Sequence, residues 1–388
     1  MAEKSKRIVI FGAGNVGRMV LQDYKDQVAY FIDNNTKLHG QKIKGVPIKS
    51  VDEFVPDKDK YLLIIASYNQ QMMEEQILKL GITNYKLFLE EIHGYYVTDE
   101  LVFNPYEDNP QRDVSEQEYI ENGEKSFLIE AVNKKVESLL DKKLMFTSVE
   151  IETINRCNGV CDFCPVSVKN DTREHKLMSD ALFESIIDQL ADMNYAGKLA
   201  LFCNNEPFLD EKIIDRHCYA RKKVPKARMH LFTNGTLLTI EKFKEIVQYL
   251  DELIIDNYQQ DLKLIKPCAA IAEYCENYPE LKKKVTIVLR KPHEILSNRG
   301  GYAPNRKETA TYPKDSCVLP FKNLIIRPDG KISLCCSDPL GKNTLGDLTK
   351  ESLVEAWYGD RFQEVRRAIA KGRENWKYCS NCDYFGLG

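Results

Sequence analysis

The alternation of apolar and polar positions divides the chain into four stretches. From Lys6 to about Phe88, short apolar runs (RIVIF, VAYFI, YLLII) are separated by glycine turns and by NVGRMVLQDY, whose apolar residues recur at helical spacing. This pattern predicts a small α/β domain. Between about Glu90 and Lys143 charge is mixed with aromatic residues, and SFLIEAVNKKVESLLDKK alone carries helical periodicity. That stretch reads as a connector packed on the domain after it. From Phe146 to Arg299, strand-like runs (SVEIETI, KLALFC, RMHLFTNG, ELIIDN, KVTIVLR) alternate with helical ones (LMSDALFESIIDQLADM, IEKFKEIVQYL). Parallel strands with helical crossovers follow from that alternation. The remainder is richer in Pro, Gly and Cys, with a hairpin signal at LIIRPDGKISLCC and one helix expected over ESLVEAWYGDRFQEVRRAIAKG. The expected boundaries are residues 1–95, 96–145, 146–299 and 300–388.

Composition narrows the class. With 388 residues and 43% apolar content the chain has material for several cores. Its 55 basic and 58 acidic residues are interspersed and nearly balanced, so there is no electrostatic footprint for nucleic acid or an anionic membrane, and a small-molecule substrate is expected. The opening MAEKSKRIVIFGAG has no signal-peptide core, and no window is apolar enough to span a bilayer, which predicts a cytoplasmic protein. Twelve cysteines in a reducing compartment point to thiolate–metal ligation where they cluster.

They cluster first in ETINRCNGVCDFCP, where Cys157, Cys161 and Cys164 fall on one tight loop directly after a predicted strand. A four-iron cluster normally takes four thiolates, so a loop that supplies three leaves one iron open to a non-protein ligand. A zinc loop is the competing reading, although zinc sites are usually built from two separated pairs of ligands. A second set lies toward the C-terminus: Cys317, Cys335, Cys379 and Cys382, with Arg327-Pro328-Asp329-Gly330 forming a turn before Cys335. Two cysteine pairs in a hairpin-rich segment fit either another iron–sulfur cluster or a zinc ribbon. Cys336 reads as a neighbour of that set more than a ligand, although the adjacent pair Cys335-Cys336 leaves the choice open. Cys218, Cys268 and Cys275 read as buried apolar residues, and Cys203 stands apart because it ends a strand just before NNEPFLD.

The first triplet, with Phe163 before its last cysteine, resembles the hallmark of the radical S-adenosylmethionine superfamily. NNEPFLD is similar to that family's Gly-Gly-Glu-Pro segment after the second barrel strand, and HLFTNGTLL to the segment closing the fourth. The resemblance implies a partial parallel (β/α)6 barrel in which the open iron chelates S-adenosylmethionine and one electron cleaves it to a 5′-deoxyadenosyl radical. It assigns Phe163, Asn205 and Glu206 to the cofactor, the last two to its amino group, and Thr233 and Asn234 to its ribose side. Asn204-Asn205 depart from the family's two glycines.

The C-terminal set resembles the Twitch/SPASM extension of the same superfamily. Since six residues follow Cys382, the shorter Twitch form with one auxiliary cluster fits better. Two [4Fe-4S] clusters, S-adenosylmethionine and an external one-electron donor such as flavodoxin or ferredoxin are implied. The Twitch pattern is similar to that of sugar-alcohol dehydrogenases, in which a base and an electron acceptor complete the oxidation of a substrate radical. Arg299 is the candidate substrate contact; guanidinium stays protonated, so an anchoring role is preferred over a basic one. An epimerase is the alternative, with Cys203 returning a hydrogen atom. Peptide modification is a further one, and a non-catalytic zinc-binding nucleotide sensor is the reading of another class.

At the N-terminus, Gly12, Gly14 and Gly17 follow a strand and open a helix, and Asp33 ends the next strand. This is the local context of a Rossmann-like dinucleotide loop, with glycines for a tight turn and Asp33 as a ribose acceptor. The stretch YFIDNNTKLHGQKIKGVPIKSVDEF resembles the small Rossmann-like domains of sugar acyltransferases and sugar methyltransferases, which implies a nucleotide-sugar ligand.

Overall fold

The computed structural model describes residues 7–67, 70–87, 100–106, 124–140, 145–306 and 314–384. Two compact units are present, Met1–Asp99 and Glu100–Gly388.

In the first unit, β1 (Arg7–Phe11) is central, flanked by β2 (Val28–Ile32) and, further along the chain, by β5 (Tyr61–Ile65). The short hairpin of β3 (Lys42–Ile43) and β4 (Val46–Lys49) and the edge strand β6 (Tyr85–Leu87) complete the order β3-β4-β2-β1-β5-β6, parallel except within the hairpin. Alternate residues of β1 supply two cores: Ile8 and Ile10 pack with Val16 and Val20 of α1 (Asn15–Tyr24), while Val9 and Phe11 pack with Phe54 of α2 (Val51–Phe54) and with Met73 and Ile77 of α3 (Gln70–Lys79). A parallel strand covered on both faces must be apolar throughout, as RIVIF is after its first residue. The strand order reverses at β1, which is where open α/β sheets form their crevice.

The second unit is built on a nine-stranded sheet. Its strands are β7 (Val102–Phe103), β8 (Ser148–Ile151), β9 (Lys198–Ala200), β10 (Arg228–Thr233), β11 (Glu252–Tyr258), β12 (Val285–Arg290), β13 (Asn323–Ile326), β14 (Lys331–Ser333) and β15 (Thr344–Asp347), in the order β15-β14-β13-β8-β9-β10-β11-β12-β7. Strands β8 through β12 run parallel with helical crossovers, and β7 adds a sixth parallel strand beside β12. The sixth position is therefore filled from residues that precede the cysteine loop, within the stretch expected to be a connector. At the opposite edge β13 joins β8 in parallel, so the cysteine-rich segment extends the same sheet before turning back in the β13–β14 hairpin.

Period-two alternation gives this sheet two unlike faces. Val149, Ile151, Leu199, Leu201, Met229, Leu231, Leu253 and Ile255 enter the main core with Phe183, Ile186 and Leu190 of α5 (Asp180–Asp192) and with Phe243 and Ile246 of α7 (Ile240–Ile246). The intervening residues on the other face include Glu150, Lys198, His230, Asp256 and Tyr258, a mainly polar set suited to a ligand cavity. The helices start on side-chain caps, Ser179 for α5 and Thr239 for α7. The long C-terminal helix read from the sequence is two helices, α10 (Leu353–Tyr358) and α11 (Asp360–Ala370), because Gly359 between them is extended at φ −62°, ψ 158°. The remaining helices are α4 (Glu124–Leu140), α6 (Ile213–Lys223), α8 (Lys266–Asn277) and α9 (Leu319–Lys322).

Candidate active site

Strands β8 to β11 end at one rim of the sheet, and the loops that follow them meet there around an open cavity. Cys157, Cys161 and Cys164 line it, together with Phe163, Phe202, Cys203, Asn204, Asn205, Glu206, Phe232, Thr233, Asn234, Asp256, Tyr258 and Arg299. Every residue of the second unit expected to touch S-adenosylmethionine or substrate is thus brought to one place. The segment HLFTNGTLL, however, closes β10, the third parallel strand with β8 counted as the first and not the fourth, since one strand and one crossover fewer separate it from the cysteine loop.

The cysteine loop closes tightly. A Cβ on Gly159 would lie 3.3 Å from Cys157 Sγ and 3.9 Å from Cys161 Sγ, so the glycine leaves the space between the two sulfurs clear. The Gly159 N–H donates to Cys157 Sγ at 3.3 Å. Burial pushes the Cys157 and Cys161 thiols up to about 12, so loading iron must displace protons from both. Among the described residues no three cysteine, histidine, aspartate or glutamate side chains meet closely enough to share one metal ion. Cys157, Cys161 and Cys164 line one cavity, which suits a multi-iron cluster held between them.

Glu206 does something the motif does not reveal. It is buried; its Oε1 accepts from Thr233 Oγ1 at 2.8 Å and from Phe208 N at 3.1 Å, and its Oε2 accepts from Asn234 N at 2.8 Å. The carboxylate ties the loop after β9 to the loop after β10, and burial raises its pKa to about 6 against the lowering effect of these donors. Thr233 and Asn234 are likewise engaged within the protein: Thr233 Oγ1 accepts from Gly235 N, and Asn234 Nδ2 donates to Asn158 Oδ1 at 2.7 Å, linking β10 to the cysteine loop. Asn205 is different. Its Oδ1 accepts from Cys203 N at 2.9 Å, while its buried Nδ2 has no partner. An unpartnered donor at the cavity suits a carboxylate acceptor, so the side chain fits the carboxylate of S-adenosylmethionine better than the amino group expected from the motif. Asp256 Oδ1 is a second buried polar atom without a hydrogen bond, and burial raises that carboxyl to about 6. Sequence reasoning passed over Asp256; its position two residues before Tyr258 on the polar parity of β11 is the signal that could have found it.

Arg299 stands at the far wall of the cavity with φ 50°, a left-handed conformation that costs a non-glycine residue about 1 kcal/mol or more. Its conformation is held from outside. Asn298 N donates to both oxygens of buried Asp383 at 2.9 and 3.0 Å, Asn298 Nδ2 donates to Asn381 O, and a Cβ on Gly300 would lie 2.8 Å from Ser337 O. The guanidinium lies in the field of Cys164, Cys336, Cys203 and Tyr258. Cys203 contacts Glu150 by a side-chain hydrogen bond, and burial holds its thiol well above the usual range.

Behind this wall lies the second cysteine set. Gly300, Tyr302, Cys335, Asp338, Tyr378, Cys379 and Cys382 line a small cavity, and the Cys335 thiol lies in the fields of Cys317, Cys379 and Cys382. Burial drives the Cys335 and Cys379 thiols well up. Arg373, missed by sequence reasoning, is buried among them: its guanidinium donates to Ser316 O and Cys382 O and electrostatically lowers the Cys379 and Cys382 thiols, favouring thiolate. Cys336 lies in the fields of Glu150 and Arg299 as well as those of Cys382 and Cys317. The two cavities share one partition, because consecutive residues Arg299 and Gly300 line one each. Asn204 Nδ2 braces it by donating to Cys203 Sγ and Cys336 O, each at 3.2 Å, a bond that glycine at this position could not make.

In the first unit the glycine loop has φ 112° at Gly12, and a Cβ on Gly17 would sit 1.8 Å from Gly12 O, so both glycines are imposed by packing. A Cβ on Gly14 would meet open space. Asp33 is occupied as a strut, its Oδ2 accepting from Ala13 N at 2.6 Å and its Oδ1 from Asn35 N at 2.8 Å.

Comparison with known proteins agrees with this geometry. Residues 151–267 match the radical SAM superfamily, residues 317–383 match SPASM, described as an iron–sulfur cluster-binding domain, and residues 4–88 match the C2185-like N-terminal family. The chain is a radical S-adenosylmethionine enzyme with a C-terminal auxiliary iron–sulfur domain, and its cofactors are S-adenosylmethionine and two [4Fe-4S] clusters. It is 27% identical over 243 residues, covering 62% of this chain and 93% of the relative, to the S-adenosyl-L-methionine-dependent 2-deoxy-scyllo-inosamine dehydrogenase of Niallia circulans. Its fold is similar to the crystal structure of BtrN in complex with AdoMet and 2-DOIA, with TM-score 0.53 and 24% identity over 63% of this chain and 95% of that one. Among the described residues no helix is long and apolar enough to cross a membrane.

Proposed function

We propose that the enzyme oxidises a carbon bearing a hydroxyl in a small sugar or aminocyclitol, free or nucleotide-linked, with the auxiliary cluster as electron acceptor. The observation that carries this reading is the shared partition. Arg299 lies in the fields of Cys164 and of Cys336, so a substrate resting on it is placed between the two cysteine sets. The similarity to 2-deoxy-scyllo-inosamine dehydrogenase supports the substrate class.

When bound, S-adenosylmethionine and the first cluster supply the 5′-deoxyadenosyl radical that removes a carbon-bound hydrogen atom. The protein's own part is placement and shielding. Cys157, Cys161 and Cys164 hold the first cluster, and Asn205 Nδ2 is the donor for the cofactor carboxylate. Phe163, Phe202 and Phe232 keep water from the cavity. Arg299 anchors a substrate hydroxyl or phosphate, and Cys317, Cys335, Cys379 and Cys382 hold the acceptor cluster. The first electron comes from an external donor such as flavodoxin or ferredoxin, and a cytoplasmic location fits that supply. The glycine loop of the first unit, with Gly14 open to a diphosphate, is proposed as a nucleotide or nucleotide-sugar site.

An epimerase is the second reading, favoured by the Cys203 thiol on the cavity wall, positioned to return a hydrogen atom. Anaerobic turnover of 2-deoxy-scyllo-inosamine and a nucleotide-sugar panel in deuterated water separates the two. A carbonyl product formed one-for-one with 5′-deoxyadenosine supports oxidation. An epimer carrying solvent deuterium on carbon means epimerisation, and zinc without 5′-deoxyadenosine would overturn both.

A further inference from the structure

Oxidation of a hydroxyl-bearing carbon radical to a carbonyl releases one electron and one proton. The electron has a receiver in the auxiliary cluster. The proton needs one, and Arg299 is a poor choice because guanidinium stays charged.

Glu150, on β8, is the carboxylate at the partition. It projects from the polar parity of the strand, opposite Ala200 of β9 and Ile325 of β13 in register. The Cys203 side chain, which lines the cavity, is hydrogen-bonded to it. The charged and titratable groups facing it are Cys203 and Lys198 from β9 and its following loop, Arg299 from the partition, Cys336 from the hairpin and Tyr384 from the C-terminal segment. Lys198 and Arg299 are cationic in this set and Glu150 is its carboxylate; Glu152 also lies in the field of Cys203, and Asp256 lines the cavity without a bond to that thiol.

We propose that Glu150 takes the proton released when the substrate is oxidised, with the Cys203 thiol as the relay between cavity and carboxylate. The inference rests on the dehydrogenase reading above. After the carbon-bound hydrogen atom has gone to the 5′-deoxyadenosyl radical, Cys203 Sγ accepts the hydroxyl proton as its own S–H proton passes to Glu150. The thiol ends as it began, Glu150 ends as the neutral acid, the C–O single bond becomes a carbonyl, and the electron passes to the [4Fe-4S] cluster on Cys317, Cys335, Cys379 and Cys382. Burial raises the Glu150 pKa, against the lowering influence of Cys203, Arg299 and Lys198, which makes the carboxylate a better proton acceptor than an exposed one. Lys198 lies one layer nearer the start of the strands, opposite Ser148 and only partly buried. Glu150 is a positioning and relay residue, since it reaches the substrate through Cys203.

Two measurements on the anaerobic holoenzyme test this, with Glu150→Gln and, as a milder change, Glu150→Asp. The first needs no substrate: iodoacetamide modification of Cys203, read by peptide mass spectrometry across pH, where the cluster thiols are protected by iron. Removing the carboxylate lets the thiolate form more easily, so the Glu150→Gln profile is expected to move down by about one pH unit. An unchanged profile overturns the proposal. The second uses 2-deoxy-scyllo-inosamine as probe and reads carbonyl product per 5′-deoxyadenosine. Glu150→Gln is expected to lower that ratio about a hundredfold, with Glu150→Asp between it and the parent; a ratio equal to the parent's overturns the proposal. If the parent itself makes 5′-deoxyadenosine but no carbonyl product from any probe, the dehydrogenase reading fails and takes the relay with it, even where the alkylation profile has moved.

Discussion

Glu206 shows how a residue at a motif position can carry bonds within the protein that the motif does not reveal. Its type and position mark a carboxylate at the cofactor, and it accepts three bonds from within the protein, from Thr233, Asn234 and Phe208. A Gln here presents an N–H group to a donor, whichever way the amide is turned. Glu206→Gln is therefore expected to cost about 3 kcal/mol of stability without S-adenosylmethionine present, measured by urea unfolding, because a buried donor is left unmatched. Unchanged stability with weakened cofactor binding would instead mean that Glu206 acts by direct contact. Gly17 offers a parallel test in the first unit. Its absent Cβ would overlap Gly12 O at 1.8 Å, a backbone atom that cannot swing aside. Gly17→Ala is expected to destabilise that unit by about 3 kcal/mol, seen as an earlier transition in thermal unfolding.

At the scale of elements, strands and their order were legible because parallel strands buried on one or both faces are apolar runs bounded by turns. The cysteine loop, the Glu-Pro turn and the Asn-Gly turn each follow such a run, so their convergence could be read without coordinates. What escaped has physical reasons. Strand β7 is two residues long and carries no periodic signal of its own. The break at Gly359 depends on one backbone angle. Glu150 was hidden because a carboxylate on a strand reads as a solvent-facing position, and only the convergence of Cys203, Arg299 and Cys336 shows what it faces. The same polar parity buries His230 on β10, and α6 buries His217. Burial depresses these histidines from 6.5 to about 3 and about 4. Depressed folded values mean that the stability they contribute is fully present above 6.5 and lost as pH falls towards those values. At about pH 5 each costs roughly 2 kcal/mol relative to neutral pH. His230→Gln is expected to flatten the fall in urea midpoint between about pH 7.5 and about pH 5, and an unchanged slope would mean that other groups set it.

At the scale of the second unit, the fold sets two cysteine-lined cavities on either side of one wall, and in the proposed function this separates making a radical from quenching it. The first task draws on the loops after β8, β9 and β10, and the second on the β13–β14 hairpin and the C-terminal turn that Arg373 pins to Ser316 and Cys382. Only the partition belongs to both. Losing the auxiliary ligands should therefore leave the first task standing. Cys335→Ala combined with Cys379→Ala is expected to lower iron from about eight to about four atoms per chain. Formation of 5′-deoxyadenosine should persist while carbonyl product disappears. Arg373→Met should act in the same direction but by degrees, because it removes the cation that favours thiolates at Cys379 and Cys382 without removing a ligand. Its auxiliary cluster is expected to be lost faster to a chelator, with the first cluster as internal reference. Equal loss from both clusters would show that the partition transmits damage from one site to the other and that the two tasks are not separable.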